Sequence, residues 1–164
     1  MDLHENLKGK TVVITGVSGI LCREFAYAYA KQGMNGAVLG RTLSKLEEVR
    51  DKINELGGNG LAVVCDVVDK DSVINAKKVV NDTFGKVDIL VNGAGGNHPK
   101  GTTTKEYFEK GDIENPNVVS FFDLSKENFN YVFDLNIVGT LIPTQVFIVD
   151  MLDNLVLMCL ILRQ

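Results

Sequence analysis

Two glycine-rich turns, each following a run of β-branched residues, could hold a ligand that carries phosphates. Residues 15–21 (TGVSGIL) follow the run TVVIT, and residues 92–100 (NGAGGNHPK) follow VDILV. Glycines let such a turn fold tightly, and the free N–H groups at a helix N-terminus bind a pyrophosphate. Small residues in the second turn would let a flat ligand lie against the backbone. The first turn lacks the full G-x-G-x-x-G spacing, so an ordinary tight turn and a flexible loop remain the alternatives.

Charged residues follow two other runs of this kind. Arg41 follows AVLG, where a dinucleotide-binding sheet meets the adenosine ribose, and its guanidinium suits a 2′-phosphate. Proteins that bind NAD usually have an acidic residue at this position, which holds both ribose hydroxyls. Arg41 therefore predicts NADP(H) in preference to NAD(H), unless it is simply an exposed loop residue. Asp66, after LAVVC, either hydrogen-bonds an adenine amino group or only shapes its own turn.

Three further polar side chains are candidates for a site. Asn136 is predicted to lie on the apolar face of the last helix, seven residues after Phe129. A buried amide without partners costs about 1–3 kcal/mol, so Asn136 should either hold a structural partner or belong to a site. His98 and Lys100, in the second glycine-rich turn, either contact a carboxylate-bearing substrate or are solvated loop residues.

The elements that must position these residues alternate between short strands and amphipathic helices. Strands are predicted at residues 11–15, 37–39, 61–65 and 87–91. Helices are predicted at about residues 19–32, from a capping box at Ser44 to Gly57, and at about residues 73–84. A last helix is predicted to begin at Ser125 and to kink at Pro143. This alternation predicts an α/β fold, a three-layer Rossmann-type doubly wound parallel sheet that is incomplete, in strand order 3-2-1-4. Ligands bind such sheets at the carboxyl ends of the strands. The polar stretch 93–124 is predicted to be a functional or mobile loop.

The composition limits the classes of function that remain. The chain has 164 residues, with 17 Lys and Arg against 21 Asp and Glu, so its net charge is −4. It lacks the basic surface of a nucleic-acid binder, and 45% hydrophobic residues exclude a disordered chain. The three cysteines match no metal-ligand spacing, which predicts reduced thiols, no metal and a cytoplasmic protein. The longest apolar run, 155–162, is too short to span a membrane. It predicts burial in a homo-oligomer or in a packed groove.

Taken together, the turns resemble those of the short-chain dehydrogenase/reductase family. The matching segments are TGVSGIL, GR, CDV, NGAG and FDLNIVGT, in the family's order, over about residues 8–150. Within the family, VNGAGGNHPKGTT and FDLNIVGTLIPTQVF are similar to the D-mannonate oxidoreductase or fructuronate reductase-like branch. The resemblance implies an NAD(P)-dependent oxidoreductase that transfers hydride between the nicotinamide and a small-molecule substrate, a hydroxy or keto sugar acid.

The resemblance also assigns roles to individual residues at the strand ends. The resemblance places Gly16, Ser18, Gly19 and Ile20 at the pyrophosphate and Arg41 at the 2′-phosphate. It places Asp66 and Val67 at the adenine, and Asn92, Gly93, Ala94 and Gly95 at the adenosine ribose region and the sheet centre. Asn136 would be the first member of the family's Asn-Ser-Tyr-Lys catalytic set, where it stabilises a helix irregularity and helps to order a proton-relay water.

The sequence also departs from the family pattern. Leu21 stands where the family's turn has its last glycine, and the turn is one residue shorter. The family's Ser and Tyr-x-x-x-Lys would lie beyond the region present. Tyr27 and Lys31 have that spacing, but they belong to the helix after the first strand and read as a helix-surface pair. We therefore expect a C-terminally truncated, catalytically incomplete chain. The alternatives are a non-catalytic NADP(H)-binding remnant or sensor, and a structural fragment without a ligand.

The domain limits follow from the same comparison. Residues 1–153 are predicted to be a dinucleotide-binding domain, and residues 154–164 an atypical apolar tail. The tail is either an altered fifth strand beside the fourth or the product of a frameshift or early stop, and the second explanation is favoured.

Overall fold

A single parallel sheet forms the centre of the protein. The structure, a computed structural model, describes residues 4–152 without the Lys100 side chain, and the backbone of residues 158–161, so the expectation for Lys100 lies outside the described part. The strands are β1 (Thr11–Thr15), β2 (Asn35–Gly40), β3 (Asn59–Val64), β4 (Ile89–Asn92) and β5 (Met158–Ile161). They are all parallel, in the order β3-β2-β1-β4-β5. The predicted order 3-2-1-4 is confirmed.

Five α-helices accompany the sheet in the described part of the chain. They are α1 (Ile20–Ala30), α2 (Leu43–Glu55), α3 (Lys70–Phe84), α4 (Lys126–Phe133) and α5 (Gly139–Phe147). A π-helical turn, Asp134–Val138, joins α4 to α5, and a 3₁₀ turn, Ile148–Asp150, follows α5.

Two buried clusters lie on opposite faces of the sheet. Val12 and Ile14 of β1 pack with residues of α1 and α2, whereas Val13 packs with residues of α3 and with Phe147 of α5. Successive side chains of a strand point to opposite faces, so the run TVVIT contributes to both clusters. Helices therefore cover both faces, and the doubly wound α/β fold is confirmed.

Some predicted element boundaries are wrong. Ser44 is not a helix cap, because α2 begins at Leu43 after Thr42, whose backbone is extended. Strands β2 and β3 start earlier than expected, at Asn35 and Asn59, because these two residues pair across the strands. The Asn59 side-chain amide donates to Asn35 Oδ1 at 2.8 Å. Strand pairing here overrides the low β propensity of Asn and Gly.

The helix that follows the long loop differs most from expectation. Ser125 caps it as predicted, since Ser125 Oγ accepts from the Asn128 N–H. The irregularity, however, is the π turn and not a kink at Pro143: the Gly139 N–H donates to Asp134 O, five residues back. Pro143 is buried within α5, which continues to Phe147.

The apolar face of this helical segment is on the surface. Phe129, Phe133, Ile137 and Leu141 recur every four residues, and each is between 47% and 53% exposed. These side chains share one apolar face, and in the described part of the chain that face is not covered by the core. By length and composition alone, the segment from Lys126 to Asp150 could cross a membrane, a test that core helices of globular proteins also pass.

The apolar tail contributes the fifth strand. Residues 158–161 pair with β4, with Met158 beside Ile89 and Ile161 beside Asn92. The predicted placement of a fifth strand beside the fourth agrees with this pairing, whereas an origin by frameshift or early stop stays a prediction. Residues 153–157 and 162–164, and the Cys159 side chain, lie outside the described part, whereas Cys22 and Cys65 are buried free thiols.

Candidate functional site

An open groove lies at the carboxyl ends of β1 to β4 and encloses a volume of about 100 Å³. Eight of the predicted site residues line it: Gly16, Ser18, Arg41, Asp66, Val67, Gly93, Ala94 and Gly95. The groove is also lined by Gly40, Cys65 and Leu135. Four strand ends that are far apart in sequence therefore meet at one place, as the parallel sheet requires.

The turn after β1 passes very close to the turn after β4. Gly16 has a φ of +74° and its N–H donates to Leu39 O at 3.1 Å. A Cβ at Gly16 would overlap the carbonyl oxygen of Gly93 and lie 2.6 Å from the Ala94 nitrogen. Only glycine fits this position, because both the conformation and the space exclude a side chain. The close approach of the two turns forms the floor of the groove.

Thr15 and Cys22 hold the turn after β4 from below. Thr15 Oγ1 accepts from the N–H groups of Gly93 and Ala94, both at 3.1 Å. A Cβ at Gly93 would overlap Cys22 Sγ and lie 2.8 Å from Thr15 O. Burial raises the pKa of the Cys22 thiol, so the thiol is a neutral packing group. These contacts fix the backbone that a flat ligand would lie against.

The N-terminus of α1 lies next to the groove, because Ser18, which lines the groove, directly precedes the N-cap residue Gly19. Gly19 is the N-cap residue, with an extended backbone, and Ile20 is the exposed first residue of the helix. The first N–H groups of a helix lack helical acceptors and carry a partial positive charge. Gly19 and Ile20 are not among the residues that line the groove, and they follow Ser18, which does.

The far end of the groove, at β2 and β3, carries the charged residues. Arg41 is exposed, and within the described part of the chain its guanidinium forms no ion pair or hydrogen bond. Asp66 Oδ1 accepts from the Val68 N–H at 3.2 Å, so the turn-forming alternative is present while Asp66 also lines the groove. Burial raises the pKa of the neighbouring Cys65 thiol.

Asn136 connects the π turn to the loop after β4. Its Nδ2 donates to Val132 O at 2.7 Å and to Gly96 O at 2.8 Å, and its Oδ1 accepts from the Gly96 N–H at 3.1 Å. Gly95 lies so close that a Cβ there would be 2.9 Å from Asn136 Oδ1. Asn136 is exposed, so the expectation of burial on an apolar face is wrong. It has structural partners and it also adjoins the groove.

Asn92 is oriented away from the ligand side. It is buried at the end of β4, and its Nδ2 donates to Thr144 Oγ1 of α5 at 2.9 Å. Thr144 Oγ1 in turn donates to Thr140 O, and Thr140 Oγ1 donates to Asn136 O. The side chain of Asn92 thus ties the end of β4 to the π turn and is not among the residues that line the groove.

Sequence reasoning missed three contributors to the site. Thr15 and Cys22 lie within a predicted strand and helix, and nothing in their spacing indicates the contacts across the groove floor. Leu135 precedes Asn136 within the π turn and lines the groove. Its position next to Asn136, a predicted site residue, is the sequence signal that could have indicated Leu135.

Comparisons with known proteins agree with this geometry. The short chain dehydrogenase profile matches residues 10–155. The chain is 45% identical to UxuB of Bacillus subtilis, an uncharacterized oxidoreductase, over 90% of this chain and 51% of that protein. It is 40% identical to an uncharacterized oxidoreductase of Haemophilus influenzae, over 92% of this chain and 52% of that protein. The chain thus spans about half the length of the curated relatives it matches.

A solved structure is similar over the same region. A Haemophilus influenzae protein proposed to be a D-mannonate oxidoreductase superposes with a TM-score of 0.85 at 39% identity, covering 90% of this chain and 52% of that one. It was solved with bound NAD, so it gives no support to a preference for NADP. The fold and the profile match agree, and in this family such a groove binds a nucleotide cofactor. The chain therefore belongs to the short chain dehydrogenase family.

Proposed function

We propose that this chain forms the nicotinamide dinucleotide site of an oxidoreductase that transfers hydride between the nicotinamide and a hydroxy or keto sugar acid. The observation that carries the proposal is the crossing of the two glycine turns at Gly16 and Gly93, beside the α1 N-terminus. A side chain at either glycine would collide with the protein itself, so only glycines let the two turns approach closely enough to form this floor. The sugar-acid substrate is supported by the resemblance to UxuB and to the proposed D-mannonate oxidoreductase.

Each part of the groove has its own role in this proposal. The first N–H groups of α1, with Ser18 and Gly19 before them, would bind the pyrophosphate. Asp66 and Val67 would contact the adenine, with Leu135 closing the groove opposite them. Residues 93–95 would support the adenosine ribose region at the centre of the sheet. When bound, the dinucleotide supplies or accepts the hydride, and the protein contributes orientation and exclusion of water.

Asn136 would act at the reactive end of the groove. The family resemblance gives it the task of holding the helix irregularity and ordering a water for proton transfer. The Asn136 side-chain amide accepts from the Gly96 N–H and donates to Gly96 O. These two bonds fix the loop beside which the nicotinamide ring would lie. Its neighbours in the catalytic set are a Ser and a Tyr-x-x-x-Lys pair. Tyr27, of the Tyr27–Lys31 pair, packs against the core of α1, and neither residue lines the groove.

The test of the proposal is a fluorescence titration of the purified chain with NADH and with NADPH. Saturable binding of either nucleotide supports it, and absence of binding of both refutes it. Nucleotide oxidation in the presence of fructuronate then separates an enzyme from a non-catalytic dinucleotide-binding module. Binding with no rate above background favours the module.

Arg41 sets the expected cofactor preference, for NADP(H) over NAD(H). Replacing Arg41 with alanine removes a guanidinium that can bind a 2′-phosphate through charge-assisted hydrogen bonds. NADPH affinity should fall by about tenfold or more, and NADH affinity should stay within about twofold. Fluorescence titrations of both nucleotides measure the two effects.

Arg50→Ala is the matched control, because Arg50 pairs with Glu47 and Asp51 on α2 and does not line the groove. Equal NADPH affinity for the wild type and Arg41→Ala would refute the NADP(H) preference, in keeping with the bound NAD of the similar structure.

The proposal includes a cytoplasmic homo-oligomer that covers the exposed face of α4 and α5. Phe129, Phe133, Ile137 and Leu141 form an apolar ridge that a second copy could cover. Ile137→Glu would place a charge in that interface and should convert the oligomer to a monomer. Size-exclusion chromatography with light scattering measures the change.

Phe121→Glu is the control, since Phe121 is an exposed aromatic residue of the long loop and lies outside the ridge. A monomeric wild type, or an oligomer that survives Ile137→Glu, would contradict this part of the proposal.

A further inference from the structure

Another cavity lies within the long loop that connects β4 to α4. Its volume is about 150 Å³, and its described lining residues are all different from those of the groove. Two segments of the loop form its walls, one within residues 103–112 and the other within residues 118–121. Pockets for drug-sized ligands measure about 300–1,000 Å³, so this cavity suits a small ligand.

Hydrogen bonds and ion pairs hold the two walls in place. The Thr104 N–H donates to Val119 O at 2.9 Å, and the Val119 N–H donates to Thr104 Oγ1 at 2.8 Å. Within the first wall, Lys105 Nζ lies 2.8 Å from Asp112 Oδ1 and 2.5 Å from Glu109 Oε2. The cavity is therefore formed by the loop itself, which lowers the cost of ordering the site when a ligand binds.

Three aromatic side chains line the cavity, and all of them are exposed. Tyr107, Phe108 and Phe121 are between 57% and 75% exposed. The Phe122 ring contacts the rings of Phe108 and Phe121 in T-shaped geometry, each at a centroid distance of 5.8 Å. Phe122 thus supports two of the three rings. Exposed aromatic side chains that gather around one cavity indicate a binding site.

The charge of this loop favours a cation as the ligand. Residues 101–124 contain two lysines and five acidic residues, so their net charge is −3. The charge of Lys105 is balanced by Asp112 and Glu109. Glu106 also lines the cavity, and within the described part of the chain its carboxylate forms no ion pair or hydrogen bond. This lining would repel an acid and attract a cation.

Most polar side chains of the cavity already have partners. Lys105 and Asp112 bind each other. Ser120 Oγ donates to Asp123 Oδ2 at 2.6 Å. Thr103 Oγ1 donates to the backbone oxygen of Lys105 at 2.9 Å. A primary ammonium group would lose hydrogen bonds to water here without replacing all of them, whereas a quaternary ammonium has no N–H group to satisfy.

We infer that this cavity binds a small quaternary ammonium compound. Aromatic rings attract such a cation when it lies within about 6 Å of the ring centroid. Tyr107, Phe108 and Phe121 would contact its methyl groups, and the Glu106 carboxylate would balance its charge. The site requires no dinucleotide, so the inference goes beyond the proposed function and does not depend on it.

An NMR titration of the full chain with choline tests the inference. The comparison ligand is 3,3-dimethylbutan-1-ol, which has the same shape but carries a carbon atom in place of the charged nitrogen. Choline should bind at least about fivefold more tightly than this alcohol. Absence of choline binding overturns the inference, and so does equal affinity for the two compounds, which would show a merely apolar cavity.

Two variants test the aromatic and the acidic part of the site separately. Tyr107→Leu removes one ring but keeps an apolar side chain, and it should weaken choline binding by about fivefold. Its matched control is Phe129→Leu, because Phe129 is an exposed aromatic residue of α4 that is not among the residues lining the cavity. Glu106→Gln should weaken choline binding by about threefold or more, and Glu114→Gln, at an exposed acidic residue of the same loop, is its control.

Urea denaturation shows whether each variant keeps the fold, as we expect for exposed positions such as 106 and 107. Choline affinity that neither Tyr107→Leu nor Glu106→Gln lowers would overturn the inference. An equal loss in Phe129→Leu and Glu114→Gln would also overturn it, because binding would then follow the general surface charge and not this cavity.

Discussion

Replacing Gly16 with alanine should reduce dinucleotide affinity by at least about a hundredfold. The new Cβ would overlap the Gly93 carbonyl oxygen and press on the Ala94 nitrogen, both of them backbone atoms that cannot rotate away. The two turns would have to separate, which removes the floor of the groove and breaks the bonds from Gly93 and Ala94 to Thr15. Fluorescence titration with NADH and NADPH measures the loss.

The same substitution should also lower the free energy of unfolding, by about 2–4 kcal/mol. Overpacking of a tight site costs about 1–3 kcal/mol, and alanine at a φ of +74° adds about 1 kcal/mol of backbone strain. Urea denaturation measures this change independently of the ligand.

Gly57→Ala is the matched control for backbone strain. Gly57 also has a positive φ, +90°, but a Cβ there would meet nothing within 4 Å, and the residue follows α2 away from the groove. It should cost only the strain, about 1 kcal/mol, and leave dinucleotide affinity unchanged. If Gly16→Ala bound dinucleotide as well as Gly57→Ala, the crossing of the two turns would have no role in binding.

Replacing Asp150 with asparagine should have the largest effect on stability away from the groove. Asp150 Oδ1 lies 2.6 Å from Lys77 Nζ, and these side chains are only 9% and 18% exposed. Asp150 Oδ2 accepts from the Val87 N–H at the entry to β4, and Lys77 Nζ also donates to Val146 O. The pair thus ties α3, the end of α5 and β4 together.

Removing one partner of a buried ion pair leaves the other charge uncompensated, at a cost of about 3–5 kcal/mol. Because Lys77 keeps some contact with water and retains Val146 O, we expect Asp150→Asn to cost about 2–4 kcal/mol. Urea denaturation at neutral pH measures it. Glu55→Gln, which breaks the exposed pair with Lys52, is the control and should cost less than about 1 kcal/mol.

The pH dependence of stability gives a second measure of the same pair. Burial raises the pKa of Asp150, but the hydrogen bonds from Lys77, Val87 and Asn81 outweigh it, so the pKa is lowered overall. A lowered carboxyl pKa stabilises the folded protein above the unfolded value of about 3.9, and this stabilisation disappears as the pH falls through the folded value.

The stability difference between the wild type and Asp150→Asn should therefore shrink on acidification below about pH 4. The pKa values of Asp112 and Asp123 are also lowered by hydrogen bonds. Their contributions are common to both proteins and cancel in the difference. A difference that does not change with pH would show that the charge of Asp150 has no stabilising role.

The local sequence pattern was sufficient to predict the position of the groove. It was insufficient to predict the boundaries and the exposure of the helices. The run TVVIT becomes a buried strand because β-branched residues suit a sheet covered on both faces, whereas LAVVC forms most of the edge strand β3, in which Val64 is exposed. The same reasoning failed at Ser44 and at Pro143, where the contacts of the whole helix decide the boundary. The exposure of Phe133 and Ile137 was missed because periodicity shows which residues share a face, and not what covers that face.

The sequence by itself determined the order of the strands, the layers of the fold and the gathering of Gly16, Arg41, Asp66 and Gly93 at one edge, because parallel right-handed connections bring every strand end to the same side. Only the tertiary structure decided which atoms touch there. The bond from Gly93 to Thr15 beneath the crossing of the two turns joins residues 78 positions apart, and the hold of Asn136 on Gly96 joins residues 40 positions apart. Such contacts depend on distances of a few tenths of an ångström between distant segments, and residue types and spacings do not encode those distances.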